Sequence, residues 1–235
     1  MNPGMILRPF GPTMYKSKVS EEFRKHLIES AANEDAPEMN YTLAGNIDKE
    51  ITFDLPLSME SELQWFVNDY MEQMTKAGVH QPPKGHVVDR IVLDDPWINV
   101  QKKGEWNPPH IHAGDYSCIV YAQVPDELRE EWTYDNQRGR NPTGGMVEWH
   151  YGQWAPGNIS QFGPIPPEEG DIFLFPAWLV HYVYPFNADV ERISFSTNFF
   201  VNYVPPSYYQ LIVPLTSMQF PDHFYIAFLI PHFVL

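Results

Sequence analysis

From Gly85 onward the hydrophobic pattern of this chain takes a period of two, and that change limits what it can fold into more than any other feature. The segments HVVDRIVL, WINVQ, SCIVYAQV, MVEWHY, DIFLF, HYVYPF and RISFSTNFFV are short and rich in Val, Ile, Tyr, Phe and Trp. Gly, Pro and Asn punctuate them at the spacing of an all-β sandwich or barrel. Prolines gather at the junctions and are scarce within the segments, where a missing N–H would break a ladder. Residues 86–203 are therefore expected to form a mostly β core, a distorted barrel or jelly roll.

Before Gly85 the pattern is helical. Residues Ser20–Ala32 put Phe23, Leu27, Ile28 and Ala31 on one face. Ser58–Ala77 spaces Leu63, Phe66, Val67, Tyr70, Met71 and Met74 along a single stripe. Ser20 and Ser58 suit N-caps, and Gly78 stands where a C-terminal stop belongs. Both helices are expected to lie against one side of the sheet, with the polar, proline-containing stretch Glu34–Asn40 between them as a loop. A 235-residue chain that is 43% hydrophobic and 15% aromatic has the material for one packed core. It reads as a single domain: residues 1–85 as a segment carrying supporting helices, 86–203 as the β core and 204–235 as an apolar tail. The charged, glycine-bearing stretch Glu127–Gly145 reads as a surface loop placed to fold over the barrel mouth.

Thirty acidic residues against fifteen basic ones give a formal charge of −15, which repels the phosphate backbone, so nucleic acid is not an expected partner. The single Cys118 cannot form an internal disulfide and fits a reducing cytoplasm, that of a host cell if the gene is carried by a phage. The N-terminus MNPGMILRPFGP shows no secretory pattern. The most apolar stretch, Phe224–Leu235, is interrupted by Pro231 and is shorter than the ~20 residues that span a bilayer. It is expected to cover the domain surface or to build a homo-oligomer contact.

The residues that carry chemistry cluster late in the chain. In NPPHIHAGDYS the prolines enforce extended geometry, and imidazoles at i and i+2, His110 and His112, project to one side of an extended backbone. His181, in FPAWLVHYVYPF, supplies a third imidazole from another strand, and three ligands on one ion leave positions open for substrate or oxygen. Each piece also has a plainer reading. An HxH pair is often solvated edge, and a His in an apolar run is often a hydrogen-bonded core residue. His150 in MVEWHYGQW reads as a strand residue facing solvent. In ERISFSTNFF, however, Arg192, Ser194, Ser196 and Asn198 share one side of an apolar strand. A buried guanidinium needs an anionic partner, and a ligand carboxylate is the natural one.

The joint pattern of NPPHIHAGDYS, GDIFLFPAWLVH and ERISFSTNF resembles the 2-oxoglutarate and Fe(II)-dependent oxygenase superfamily, and more closely the 2-oxoglutarate/Fe(II) oxygenases of marine bacteria and phages that are distantly related to prolyl 4-hydroxylases. The resemblance runs from about Trp97 to Asn202, and LAGNIDKE near the N-terminus is similar to the same group. It implies a double-stranded β-helix, the jelly-roll, cupin-like barrel, with supporting N-terminal helices. It also implies Fe(II) and 2-oxoglutarate as cofactors and a dioxygenase, or hydroxylase, reaction that consumes dioxygen and a prime substrate and releases succinate and CO2.

By position, His110 matches the proximal ligand and His181 the distal one, Arg192 and Ser194 match the pair that holds the far carboxylate of 2-oxoglutarate, and Tyr121 matches a tyrosine bonded to that carboxylate. The departure is His112, which stands where most of the superfamily has Asp or Glu. The third ligand is then His112, Asp115 turning back from the next turn, or water. Strand geometry favours His112, and ligand chemistry favours Asp115. Trp97, Trp149, Phe173, Phe175 and Trp178 are candidates for an aromatic lining. The resemblance points to an amino-acid, peptidyl or small-molecule substrate. Two competing readings are a cupin-like metalloenzyme without 2-oxoglutarate, which does not require a buried Arg-x-Ser, and a non-catalytic ligand-binding or phage structural module.

Overall fold

The computed structural model describes residues 3–7, 11–80, 82–133, 143–152 and 159–208. The outer part of the tail and residues 134–142 of the loop read as a lid lie outside the described residues. So does the Phe224–Leu235 stretch on which the oligomer contact was expected.

The strands are β1 (Met5–Leu7), β2 (Met14–Lys18), β3 (Lys49–Thr52), β4 (Val87–Gln101), β5 (Asn107–His110), β6 (Tyr116–Gln123), β7 (Val147–Gly152), β8 (Ile159–Ile165), β9 (Asp171–Pro176), β10 (Val180–Val183) and β11 (Arg192–Val204). The helices are α1 (Glu21–Ala31), α2 (Leu57–Lys76) and the short α3 (Asp126–Glu130). One sheet runs β1-β2-β9-β6-β11-β4-β3 and the other β5-β10-β7-β8, with every pairing antiparallel. The product is the jelly roll that the alternation and the resemblance led one to expect.

Period-two alternation sorts the large sheet into two faces. Ile98, Val100, Val120, Ile172, Leu174 and Phe195 turn toward the helices and pack with Phe23, Leu27, Leu63, Phe66 and Tyr70. Cys118 is buried in this layer as a free thiol, pushed up to about 12 by burial, so it acts as a small apolar residue. The intervening residues face the smaller sheet, where Ile119, Tyr121, Phe173 and Phe175 meet Val147, Trp149 and Val183. Register then lines up a polar row across four strands. Glu50 lies opposite Asn99, Asn99 opposite Ser194, and Ser194 opposite Tyr121.

Three local expectations need correction. Ser20 does cap α1, its hydroxyl accepting from the Phe23 N–H, but the N-cap of α2 is Pro56, two residues before Ser58. Proline's fixed φ and absent N–H suit a helix entry, which Ser58, already inside the first turn, does not mark. Gly78 ends α2 as expected, at φ +68, with its N–H on Thr75 and that of Val79 on Met74 in a Schellman arrangement. HVVDRIVL and WINVQ are one strand, because a kink at Asp95, φ +40, followed by Pro96 is absorbed as a shift of register against β11. The loop assigned from Glu127 begins instead within α3, whose Leu128 is buried in the core.

Candidate metal centre

Sheet pairing brings the three histidines together. His110 ends β5 and is the direct cross-strand partner of His181 on β10, so both imidazoles rise from one antiparallel pair. His112 belongs to no strand. β5 stops at His110, and His112 is aimed instead by its backbone N–H, which donates to Ala177 O at 2.9 Å. The strand-geometry reason for preferring His112 therefore fails, although the residue still reaches the cluster.

One ring nitrogen of each imidazole lies within 4.8 Å of the others, and His112 Nε2 is 3.2 Å from His181 Nε2. Two nitrogens bound at a right angle to one ion at ~2.1 Å sit about 3 Å apart, so this separation suits shared ligation. On two of the rings the second nitrogen is engaged. His181 Nδ1 donates to Leu179 O at 2.9 Å and His110 Nδ1 to Pro108 O at 2.7 Å. Those carbonyls leave Nε2 as the lone-pair nitrogen on both rings, the tautomer a metal requires. Burial, reinforced by the neighbouring imidazoles at His112 and His181, lowers the pKa of all three, that of His112 to about 3. At neutral pH the cluster is uncharged and ready to ligate.

Asp115 turns away. Its Oδ2 accepts from the Val201 N–H at 2.7 Å, while its backbone pairs with Phe199 and Ala177. The carboxylate is thus occupied in tying the turn after β5 to β11. His150 is also placed differently from its reading as solvated strand. Its Nε2 lies 2.5 Å from Oε1 of the buried Glu148, which also accepts from Tyr182 at 2.7 Å.

Arg192 is 1% exposed and lies at the far end of the cavity that the histidines enter. Its Nη1 donates to Gly145 O at 2.8 Å, its Nη2 reaches Ser194 Oγ at 3.4 Å, and its guanidinium sits over the Tyr121 ring, 5.3 Å from the centroid. Among the described residues no carboxylate pairs with it. Its Nε and the Tyr121 hydroxyl are both buried without a partner. Burial pushes the Tyr121 hydroxyl up to about 12 against the opposing pull of Arg192, so it remains a donor. A buried cation and a buried hydroxyl, both with free donor capacity, fit a ligand carboxylate.

Two hollows flank the histidines. The inner one, about 30 Å³, runs past His110, His112 and His181 to Arg192, Ser194 and Ser196. At that size it holds about one water, so seating a five-carbon diacid requires its walls to part. The outer one, about 120 Å³, shares Trp97, Asn107, His110 and His112 with it and opens toward Gly45 and Glu50. A wider groove of about 740 Å³ along Lys102–Glu105 and Asp189–Glu191 includes none of the histidines. Of the aromatic candidates, Trp97 lines both small hollows and Phe175 packs on His181 at 4.7 Å, while Trp149 and Phe173 form the core behind them. Trp178 is 53% exposed against Tyr151 and is no part of the lining. Sequence reasoning missed Glu50, Asn99 and Asn107. The signal for Asn99 was present in WINVQ, where the residue shares the Trp97 side of the alternation.

Residues 95–198 match the family model described as Putative 2OG-Fe(II) oxygenase. A search of curated proteins finds no match. Among solved structures, the viral collagen prolyl hydroxylase of Paramecium bursaria Chlorella virus-1, in a 2OG complex, is 13% identical with a TM-score of 0.49, over 79% of this chain and 94% of that one. A prolyl-4-hydroxylase of Pseudomonas putida is 12% identical with a TM-score of 0.44, over 80% and 92%. A prolyl hydroxylase of Trichoplax adhaerens, in complex with a hypoxia inducible factor peptide fragment, is 13% identical with a TM-score of 0.46, over 93% and 88%. Likenesses at these scores bear on neither substrate nor mechanism.

Proposed function

We propose, with residues 95–198 as a segment of the putative 2OG-Fe(II) oxygenase family, that this chain is an Fe(II)- and 2-oxoglutarate-dependent oxygenase whose metal ligands are His110, His112 and His181. The observation that carries the reading is the juxtaposition of three neutral imidazoles with a buried, carboxylate-free Arg192 in one cavity. A cupin-like site without 2-oxoglutarate has no use for that guanidinium.

Each residue then has a task. The carbonyls of Pro108 and Leu179 fix the tautomers of His110 and His181, so that their Nε2 lone pairs face the ion. His110, His112 and His181 would hold the ion and leave part of its surroundings free for the 2-oxo acid end of the cosubstrate. Arg192, with Ser194 and Tyr121, holds the far carboxylate through charge-assisted hydrogen bonds. Trp97 and Phe175 wall the site from solvent. Bound there, Fe(II) with 2-oxoglutarate supplies the oxidative chemistry, in which dioxygen is consumed, succinate and CO2 leave, and a C–H bond of the prime substrate becomes C–OH.

The prime substrate is proposed to be an amino-acid, peptidyl or small molecule rather than nucleic acid, a choice supported by the charge of −15. A reducing cytoplasmic setting is supported by the buried, unpaired Cys118, and no helix of the described residues is long and apolar enough to cross a membrane. The test is anaerobic titration with Fe(II) and then 2-oxoglutarate, followed by admission of oxygen and assay of succinate. One equivalent of each should bind, and succinate should appear only when both are present. Succinate formation undiminished in His181→Ala would defeat the reading.

A further inference from the structure

Two buried side-chain oxygens on the outer side of the histidines, Glu50 Oε2 and Asn107 Oδ1, have no donor among the described residues. Glu50 is 1% exposed although it sits on β3, the last strand of the large sheet. With the Asn99 amide turned to donate, its nitrogen is 2.8 Å from Glu50 Oε1, while Glu50 Oε2 has no partner. The side-chain oxygen of Asn107, three residues before His110, is likewise buried and unpaired. No Lys, Arg or His among the described residues forms an ion pair with Glu50. The charged group that acts on it at range is Glu105, another acid.

The Glu50 carboxylate and the Asn107 oxygen face the same piece of backbone. A Cβ added at Gly45 would lie 2.4 Å from Glu50 Oε1, the carboxylate oxygen beside Asn99, and 2.6 Å from Asn107 Oδ1, so the carboxylate and the amide oxygen hang within about 5 Å of each other. Gly45 and Glu50 both belong to LAGNIDKE, none of whose residues is among the metal and cosubstrate ligands proposed above. Asn46 bridges that loop to Trp106, next to the strand that carries His110. Gly45, Glu50, Asn107, His110 and His112 all line the 120 Å³ cavity, which has room for roughly four waters.

A carboxylate buried in a ligand-sized space, with one oxygen unpaired, a second orphaned acceptor beside it and no cation, lacks a hydrogen-bond donor and a positive charge. A primary ammonium brings both, offering three N–H donors and a full charge in a compact group. We propose that Glu50 and Asn107 form the recognition site for the prime substrate, and that this substrate presents an aliphatic ammonium group, held beside the metal on the side away from Arg192. The inference rests on the oxygenase reading for the identity of the metal side, and it adds the substrate class. Two further features agree. Burial and Glu105 hold the Glu50 carboxyl up at about 7 while no cation is near, and the acidic surface draws cations inward.

The probe is n-butylammonium, compared with n-butanol and butyrate, measured by calorimetry on the Fe(II)- and 2-oxoglutarate-loaded protein under anaerobic conditions and on the metal-free chain. The ammonium should bind at least tenfold tighter than either analogue. Glu50→Gln, which keeps the shape and removes the charge, should lose at least tenfold of that affinity while Fe(II) and 2-oxoglutarate bind as before. Gly45→Ala, which puts a methyl over both acceptors and changes no charge, should weaken ammonium binding too and serves if Glu50→Gln does not fold. Equal binding of butanol and butylammonium, or ammonium affinity unchanged in the variants, overturns the proposal. Selective, Glu50-dependent ammonium binding in a chain that takes up neither Fe(II) nor 2-oxoglutarate would instead sink the oxygenase reading and leave the amine site standing.

Discussion

Replacing Arg192 separates a ligand anchor from a structural arginine. The guanidinium is fully buried, makes one good hydrogen bond, to Gly145 O at 2.8 Å, and leaves Nε free. In Arg192→Met the metal-free protein loses that bond, which strands a carbonyl at a cost of about 1–3 kcal/mol. It is also relieved of an unpaired buried charge, and exchanging such charges for apolar groups of similar volume is often neutral or stabilising by about 1–4 kcal/mol. The two effects offset, so the melting temperature of the metal-free protein should move by no more than about 4 °C. Cosubstrate binding should behave quite differently. Removing one partner of a buried charge pair costs about 3–5 kcal/mol, or roughly two to four orders of magnitude in 2-oxoglutarate affinity. Arg192→Lys keeps the charge and loses the planar fork, and should cost about one to two orders. Calorimetric titration of 2-oxoglutarate into the anaerobic Fe(II) protein measures both. Unchanged affinity in the two variants, or a collapse of the Met variant's stability by more than about 10 °C, would refute the reasoning.

Asp115→Ala removes the acceptor of the Val201 N–H and should lower stability by about 1–3 kcal/mol in denaturant unfolding while leaving Fe(II) affinity within a few-fold. His112→Ala should do the reverse, weakening Fe(II) by at least tenfold, and a larger iron loss in the Asp115 variant would return the carboxylate to the ligand set. For the metal-free chain, the depressed pKa of His112, about 3 when folded against 6.5 when free, means that the unfolded state binds more protons between those values. Stability should therefore be full above pH ~6.5 and fall by up to about 1.4 kcal/mol per unit as the pH drops toward 3, and His112→Ala should flatten that slope in equilibrium unfolding. In the helical layer, Leu63→Ala should cost about 2–5 kcal/mol by opening a void under α2, with Fe(II) affinity of the folded fraction preserved.

The fold was legible because alternation and helical spacing are local signals. The β core, both long helices, the Ser20 cap and the Gly78 stop follow from residues a few positions apart. What escaped depends on pairing between distant segments. LAGNIDKE marked the segment that ends on Glu50, but nothing in it shows that this acid is buried. It is buried because β3 pairs with β4 and sets it opposite Asn99. Asp115 looked like a candidate ligand because its commitment to Val201 lies 86 residues away. His112 was expected to reach the cluster along a strand and reaches it from a turn, since the hydrogen bond that aims it comes from the loop before β10. The Arg-x-Ser pair was readable because a charge on the inward side of an apolar strand implies a partner wherever the strand goes.

The central claim is that three imidazoles and one guanidinium share a single cosubstrate site. A crystal grown anaerobically with Mn(II) as a redox-silent substitute for iron, together with 2-oxoglutarate, and located by anomalous scattering tests it directly. The account predicts one ion bound through Nε2 of His110, His112 and His181, with the far carboxylate of 2-oxoglutarate on Arg192, Ser194 and Tyr121. An ion held by Asp115 or by the Glu148–His150 pair, or a 2-oxoglutarate carboxylate placed away from Arg192, would contradict it.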